Sequence, residues 1–161
     1  MESMPETSKV IFAGGVMPSN WYSLHDAAIL PTEALGKVVY NDALKGAWEC
    51  GRYSAETALN GIYKFFIKAA SPHFIIERAG RIFTNYYQPS DMSVVDKGEN
   101  YVVLHITRFE EPNALIEARI AGWMERAMEI HGVGEVSITI PKSLTKGYPI
   151  TEIRVQWTPK K

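Results

Sequence analysis

Histidine is the commonest metal ligand and acid/base side chain, so His25, His73, His105 and His131 set the first test of whether this 161-residue chain does chemistry. No two of them stand four apart as a helical metal site requires, and none belongs to a His-Glu-x-x-His motif. His131 sits where a helix ends, placed to meet unpaired carbonyls. His105 alternates with Leu104 and Ile106, so it faces away from them across a strand. All four read as structural or exposed. The lone cysteine, Cys50, reads as a small core residue; one thiol excludes an internal disulfide and a multi-cysteine zinc site, and suits a reducing compartment. No Gly-x-Ser-x-Gly elbow, Ser-x-x-Lys pair or phosphate-binding loop occurs, Gly14-Gly15 lacks the third glycine of a dinucleotide site, and Glu110-Glu111 falls in a solvated loop. The expectation is no enzyme, no catalytic residue and no bound metal.

Aromatic density is the other signal. Seven aromatic residues crowd between Tyr63 and Tyr87, and Trp123 joins them from a later helix. Such residues either fill a core or enclose a ligand cavity, and a binding pocket would need roughly 300 Å³ or more. If there is a pocket, its lining is expected from Phe66, Phe83, Tyr86 and Trp123. Arg119, set among Ile116, Ile120 and Trp123, is its candidate polar anchor. Facing inward, that guanidinium needs an anionic partner such as a ligand carboxylate; facing outward, it forms ordinary pairs along its helix.

The elements that must carry these residues change character at mid-chain. Residues 1–9 read as a flexible tail, and Val10-Ile11-Phe12-Ala13 as a short strand closed by Gly14-Gly15. An irregular stretch follows to Leu30. Pro31 suits a first helical turn, and that helix is expected to run past Asn41-Asp42 through Leu44 and Trp48 to Gly51. Ser54 caps a second helix through Ile62, Phe65 and Phe66 to about Ala70, and Ser71-Pro72 opens a third. Then the period becomes two: a hairpin turns at Asp96–Asn100, a long helix starts at Asn113 and stops at Gly132, and a last hairpin turns at Lys146-Gly147-Tyr148-Pro149. This order, helices–hairpin–helix–hairpin, predicts one α+β domain over residues 1–161, with helices on one face of an antiparallel sheet of about four strands.

Composition agrees with a soluble domain: 46% hydrophobic and 22% charged residues are those of a globular core, not a disordered chain. A net charge of −1 offers no bulk attraction to nucleic acid or to anionic membrane. No secretory leader or membrane-spanning run is seen, so the cytoplasm is the expected location. Residues 142–161 hold five cations and one acid (Glu152), which reads as lysine guarding an exposed sheet edge.

Across residues 31–157, the helix Ile120-Ala121-Gly122-Trp123-Met124-Glu125 with His131-Gly132, then two strands around Lys146-Gly147 ending Arg154-Val155-Gln156-Trp157, resembles a known superfamily. It joins H-NOX haem domains, 4-vinyl-reductase-type ligand-binding domains and TRAPP vesicle-tethering subunits, and the chain is most similar to a myxobacterial paralogue family within it. The resemblance implies an α+β fold, often dimeric, with a hydrophobic pocket in several branches. The Tyr-x-Ser-x-Arg motif of the haem branch has no counterpart: Tyr53-Ser54-Ala55 does not match it. Ser143 and Thr151 stand near where the 4-vinyl-reductase-type branch carries cysteines. No cofactor is therefore expected. Two functions follow from the resemblance: a non-enzymatic small-molecule-binding or sensory module, taking a small apolar or lipid-like molecule between helices and sheet, or a homodimeric interaction domain like the tethering subunits.

Overall fold

The computed structural model describes residues 3–17, 19–59 and 67–160. The first element is a helix, α1 (Glu6–Ala13), where the sequence suggested a tail and a strand. A four-residue apolar run cannot tell the two apart by period. Here Pro5 precedes the first turn, Glu6 pairs with Lys9 at 2.7 Å, and Val10 and Phe12 are left exposed. The buried side chain of α1 is Ser8, whose hydroxyl donates to the Asp26 carbonyl at 2.7 Å.

Helical backbone resumes earlier than expected, at His25. Helix α2 (Leu30–Leu35) is flanked by the wider π-type turns His25–Ile29 and Gly36–Tyr40. The chain then breaks at Asn41, which adopts a left-handed conformation (φ 52°) that asparagine tolerates better than most residues. Asp42 caps α3 (Ala43–Ala58) by accepting from the Lys45 N–H at 3.0 Å. The boundary expected between Gly51 and Ser54 does not exist: Ser54 is inside α3, its hydroxyl satisfied by the Cys50 carbonyl one turn back. Ile62, Phe65 and Phe66, placed on the next helix by sequence, lie outside the described residues.

Helix α4 (Pro72–Tyr86) begins as its sequence dictates, with the Ser71 hydroxyl accepting from the Phe74 N–H and Pro72 in the first turn. Strands β1 (Ser90–Gly98) and β2 (Tyr101–Phe109) form the first hairpin. Asn113 caps α5 (Ala114–His131), which stops at Gly132 in the left-handed region (φ 93°). Strands β3 (Val136–Lys142) and β4 (Thr151–Trp157) form the second hairpin around Gly147. Their sheet is antiparallel in the order β1-β2-β4-β3, so the two hairpins join along a central seam where Val102 faces Val155 and Leu104 faces Ile153.

Alternation on β2 turns Val102, Leu104 and Ile106 inward, where they share one apolar cluster with Ile153 and Val155 of β4. Helix α4 lies over β1 and β2, α5 over β3 and β4, and α3 packs on α5. Small residues permit that last contact. A Cβ on Gly51 would come closer than 3.0 Å to the Arg119 carbonyl oxygen, and one on Gly122 equally close to that of Trp48. Around this crossing the Trp48 indole N–H donates to Glu125 at 2.8 Å, and Arg52 pairs with both Glu125 and Glu129. Buried Glu117 ties α5 to the second hairpin by accepting from the Ser143 and Thr151 hydroxyls. No described helix is long and apolar enough to cross a membrane.

Candidate ligand-binding site

Three helices leave a cavity of about 490 Å³ where they meet. Helix α3 contributes Gly51 and Ser54, α4 contributes Ala79 and Phe83, and α5 contributes Arg119 and Trp123, among others. The sequence placed a pocket between helices and sheet; no strand residue lines this one among the described residues. The reason is packing. The sheet-facing sides of α4 and α5 are filled by Ile75, Ile76, Ile116 and Met128, which are buried in one cluster with the inward strand residues.

Helical spacing assembles the lining. Phe83 and Tyr86 are three apart on α4, Arg119 and Trp123 four apart on α5, so each pair shares a face. Phe83 is 4% exposed and belongs to an aromatic cluster with Tyr87 and Phe109, with ring centroids 5.1 and 5.7 Å away. Trp123 is half-buried on the opposite wall, and Tyr86, largely exposed, stands at the mouth. Of the five residues nominated from sequence, Phe83, Tyr86, Arg119 and Trp123 therefore border one cavity; Phe66 lies outside the described residues.

Polar groups are few. The hydroxyls of Ser54 and Thr57 already donate to carbonyls one turn back, at 2.9 and 3.0 Å. Tyr87, which the sequence showed only as one of the aromatic run, also borders the cavity. Burial raises its pKa, with the Arg119 charge working in the opposite direction, so it stays a neutral hydroxyl at physiological pH. Arg119 donates from Nη1 to the Thr32 hydroxyl at 2.7 Å, and Thr32 is itself buried. Arg52, Arg126 and Arg154 each hold a glutamate, whereas half-buried Arg119 has no carboxylate partner among the described residues. Thr32 was missed from sequence because nothing local marks a side chain that acts 87 positions away.

Tyr86, Tyr87 and Arg119 also border a second, larger space of about 1030 Å³. This groove runs beside the Ser19–Leu24 segment and carries Glu110 and Glu111. The three residues thus form the partition between an apolar cavity and a more polar groove.

The chemistry-bearing residues lie elsewhere. His73 donates from Nε2 to the Gly98 carbonyl at 2.6 Å and meets Trp157 edge-on; His131 donates from Nε2 to the Ala70 carbonyl at 2.9 Å. His105 pairs with Glu152 at 3.1 Å, and His25 with Glu111 at 3.4 Å. Cys50 is half-buried, and burial raises its pKa despite the nearby Arg119, so the thiol stays protonated. No group of three or more His, Cys, Asp or Glu among the described residues is arranged to hold a metal ion.

No protein-family model matches the chain, and no curated protein matches it by sequence. Solved structures do. An Fe(II) H-NOX protein from S. oneidensis superposes with a TM-score of 0.67 at 6% identity, covering 96% of this chain and 87% of that one. An unliganded Fe(II) H-NOX protein from K. algicida gives 0.61 at 10% identity, covering 96% and 88%. A mutant H-NOX from T. tengcongensis gives 0.59 at 10% identity, covering 95% and 87%. At these identities the likeness concerns architecture, and it shows that the chain has an H-NOX-like α+β fold.

Proposed function

We propose that this chain is a single-domain, non-enzymatic ligand-binding or sensory module of the cytoplasm, taking a small apolar molecule into the cavity among α3, α4 and α5. The observation that carries this reading is the cavity itself. At about 490 Å³ it lies within the ordinary range for small-molecule sites, and its walls are mainly aromatic and aliphatic with few polar groups. The H-NOX structures that share the fold include one in an Fe(II)NO ligation state, which supports a ligand-binding role for this architecture.

Haem itself does not fit the residues present. Haem iron is held by a histidine, thiolate, methionine or tyrosine from a wall of its site. No histidine or cysteine lines this cavity among the described residues, and all four imidazoles are engaged at other places. Of the remaining lining residues of ligating type, Met124 is fully buried in the core cluster, Tyr53 and Tyr86 are 74% and 71% exposed, and the Tyr87 hydroxyl is held protonated by burial. The occupant proposed is accordingly an organic molecule without a metal.

Native mass spectrometry of protein purified from its own host tests the reading. A retained small molecule, lost when Ala79→Trp fills the cavity, is the expected result. An empty wild-type protein that also fails to bind any apolar probe would overturn it.

A second reading rests on a different observation. Val38 and Val39 are 67% and 62% exposed, with Leu35 and Leu44 exposed nearby. Contiguous apolar surface of this kind marks interaction sites, so a homodimer through this helical edge is the alternative function. Light scattering at micromolar concentration decides it: a monomer removes the scaffold reading.

A further inference from the structure

The ligand proposed above has an unassigned end, and Arg119 defines it. We infer that the cavity takes an amphiphilic monocarboxylate, whose apolar tail lies against Phe83 and Trp123 and whose carboxylate is read by Arg119 and Tyr87. This inference rests on the binding reading of the same cavity and adds the chemical class of the ligand.

Three observations support it. Among the described residues, Arg119 is the half-buried arginine that lacks a carboxylate, while the half-buried Arg52 and Arg126 are neutralised within the protein. A guanidinium removed from bulk water without a counter-charge is costly, and a planar carboxylate matches its paired N–H groups. Next, the guanidinium is held in place. Nη1 is engaged by buried Thr32 at 2.7 Å, which leaves the remaining N–H groups to a ligand. Tyr87 borders the same cavity from the end of α4 and adds a second donor, since its hydroxyl remains protonated. Lastly, both residues stand on the partition between the apolar cavity and the polar groove. A head group there keeps one side in water while the tail is buried, as an amphiphile demands.

Charge narrows the head group further. Glu110 and Glu111 line the groove on the far side of the partition. His25 stands 3.4 Å from Glu111, but Glu110 has no cation within ion-pair distance among the described residues. A dianionic phosphate head would face these carboxylates, whereas a monocarboxylate satisfies Arg119 with a single charge.

Calorimetric titration with decanoate, decanol and decyl phosphate, which share one tail and differ in the head, tests the inference. A second matched pair, naphthoate and naphthalenemethanol, covers an aromatic tail. A charge-assisted hydrogen-bond pair predicts that the carboxylate of each pair binds roughly ten- to a hundredfold tighter than its alcohol. Arg119→Gln should erase that preference with little change in alcohol binding, Arg119→Lys should restore part of it, and Tyr87→Phe should weaken it. Alcohol and acid binding alike, or phosphate binding tighter than carboxylate, overturns the head-group assignment while the cavity reading stands. Failure of every probe to bind overturns both. Should Arg119→Gln not fold, the wild-type affinity ratios alone decide between the head groups.

Discussion

Gly51 and Gly122 face one another's helices at the crossing of α3 and α5, each at a point where any side chain would strike the opposite backbone. The carbonyls they lie against belong to Arg119 and Trp48, so the closest approach of the two helices coincides with the wall of the cavity.

Gly51→Ala is expected to destabilise the protein by about 2 kcal/mol or more. The gain in helix propensity, ~1 kcal/mol, is outweighed by overpacking against a backbone that cannot yield. Urea denaturation with an unchanged slope and a lower midpoint is the expected signature. A midpoint at or above wild type would show that the helices separate freely.

Phe83→Ala and Trp123→Ala should separate stability from binding. Phe83 is buried in the aromatic cluster with Tyr87 and Phe109, so its loss should cost ~3–5 kcal/mol. Trp123 is half-buried on the cavity wall, and its replacement should cost less stability while lowering decanoate affinity. Equal thermal shifts for the two variants would contradict this division.

The buried Glu117 makes Thr151 a sensitive position. Thr151 donates to Glu117 and accepts from the Leu144 N–H at 2.9 Å. Thr151→Val keeps the shape and leaves both groups short of a partner, with an expected cost of ~1–3 kcal/mol. A neutral effect in chemical denaturation would mean that water replaces the hydroxyl.

Acid stability should depend on Glu152. Hydrogen bonds from Arg154, then Lys142 and His105, hold its carboxyl down from the ordinary value near 4.5 to about 2. A carboxylate whose pKa is lower folded than unfolded contributes stability fully above the unfolded value and loses it as pH falls through the folded one. Stability should therefore decline between about pH 4.5 and 2, and Glu152→Gln should flatten that limb as well as lowering stability at neutral pH. Parallel acid limbs for variant and wild type would disprove the assignment.

Much of the architecture could be read where a local rule has a local cause. Ser71-Pro72, Asn113 and Gly132 mark helix ends because caps act within one turn, and alternation placed Leu104 and Ile106 on one side of β2 and His105 on the other. The failures share a cause as well. Val10–Ala13 is too short for its period to separate helix from strand, and Ser54 looks like a cap unless one knows that its hydroxyl turns back to Cys50. Asn41 hid a helix break inside a polar dipeptide, because a left-handed residue has no unique spelling when it is not glycine. At the site, aromatic density nominates Phe83, Tyr86 and Trp123 and its apolar neighbours nominate Arg119, and these four border one cavity. Thr32 could not be picked out, since its contact with Arg119 exists only after α2 is laid against α5.

The strand order β1-β2-β4-β3 divides each hairpin into unequal partners. Strands β2 and β4 are paired on both sides and carry the fully buried side chains. Strands β1 and β3 have one free margin each and no fully buried residue; they carry bulges at Val95 and between Thr139 and Lys142, while the one on β2, at Thr107, lies past the stretch paired with β4. Accidents of mutation are thus unequally tolerated within a single hairpin: its outer strand can drift, lengthen or accept an insertion at a bulge. Its inner strand is bound to both neighbours and to the helices above, and it is the part of the sheet that a long divergence would leave least altered.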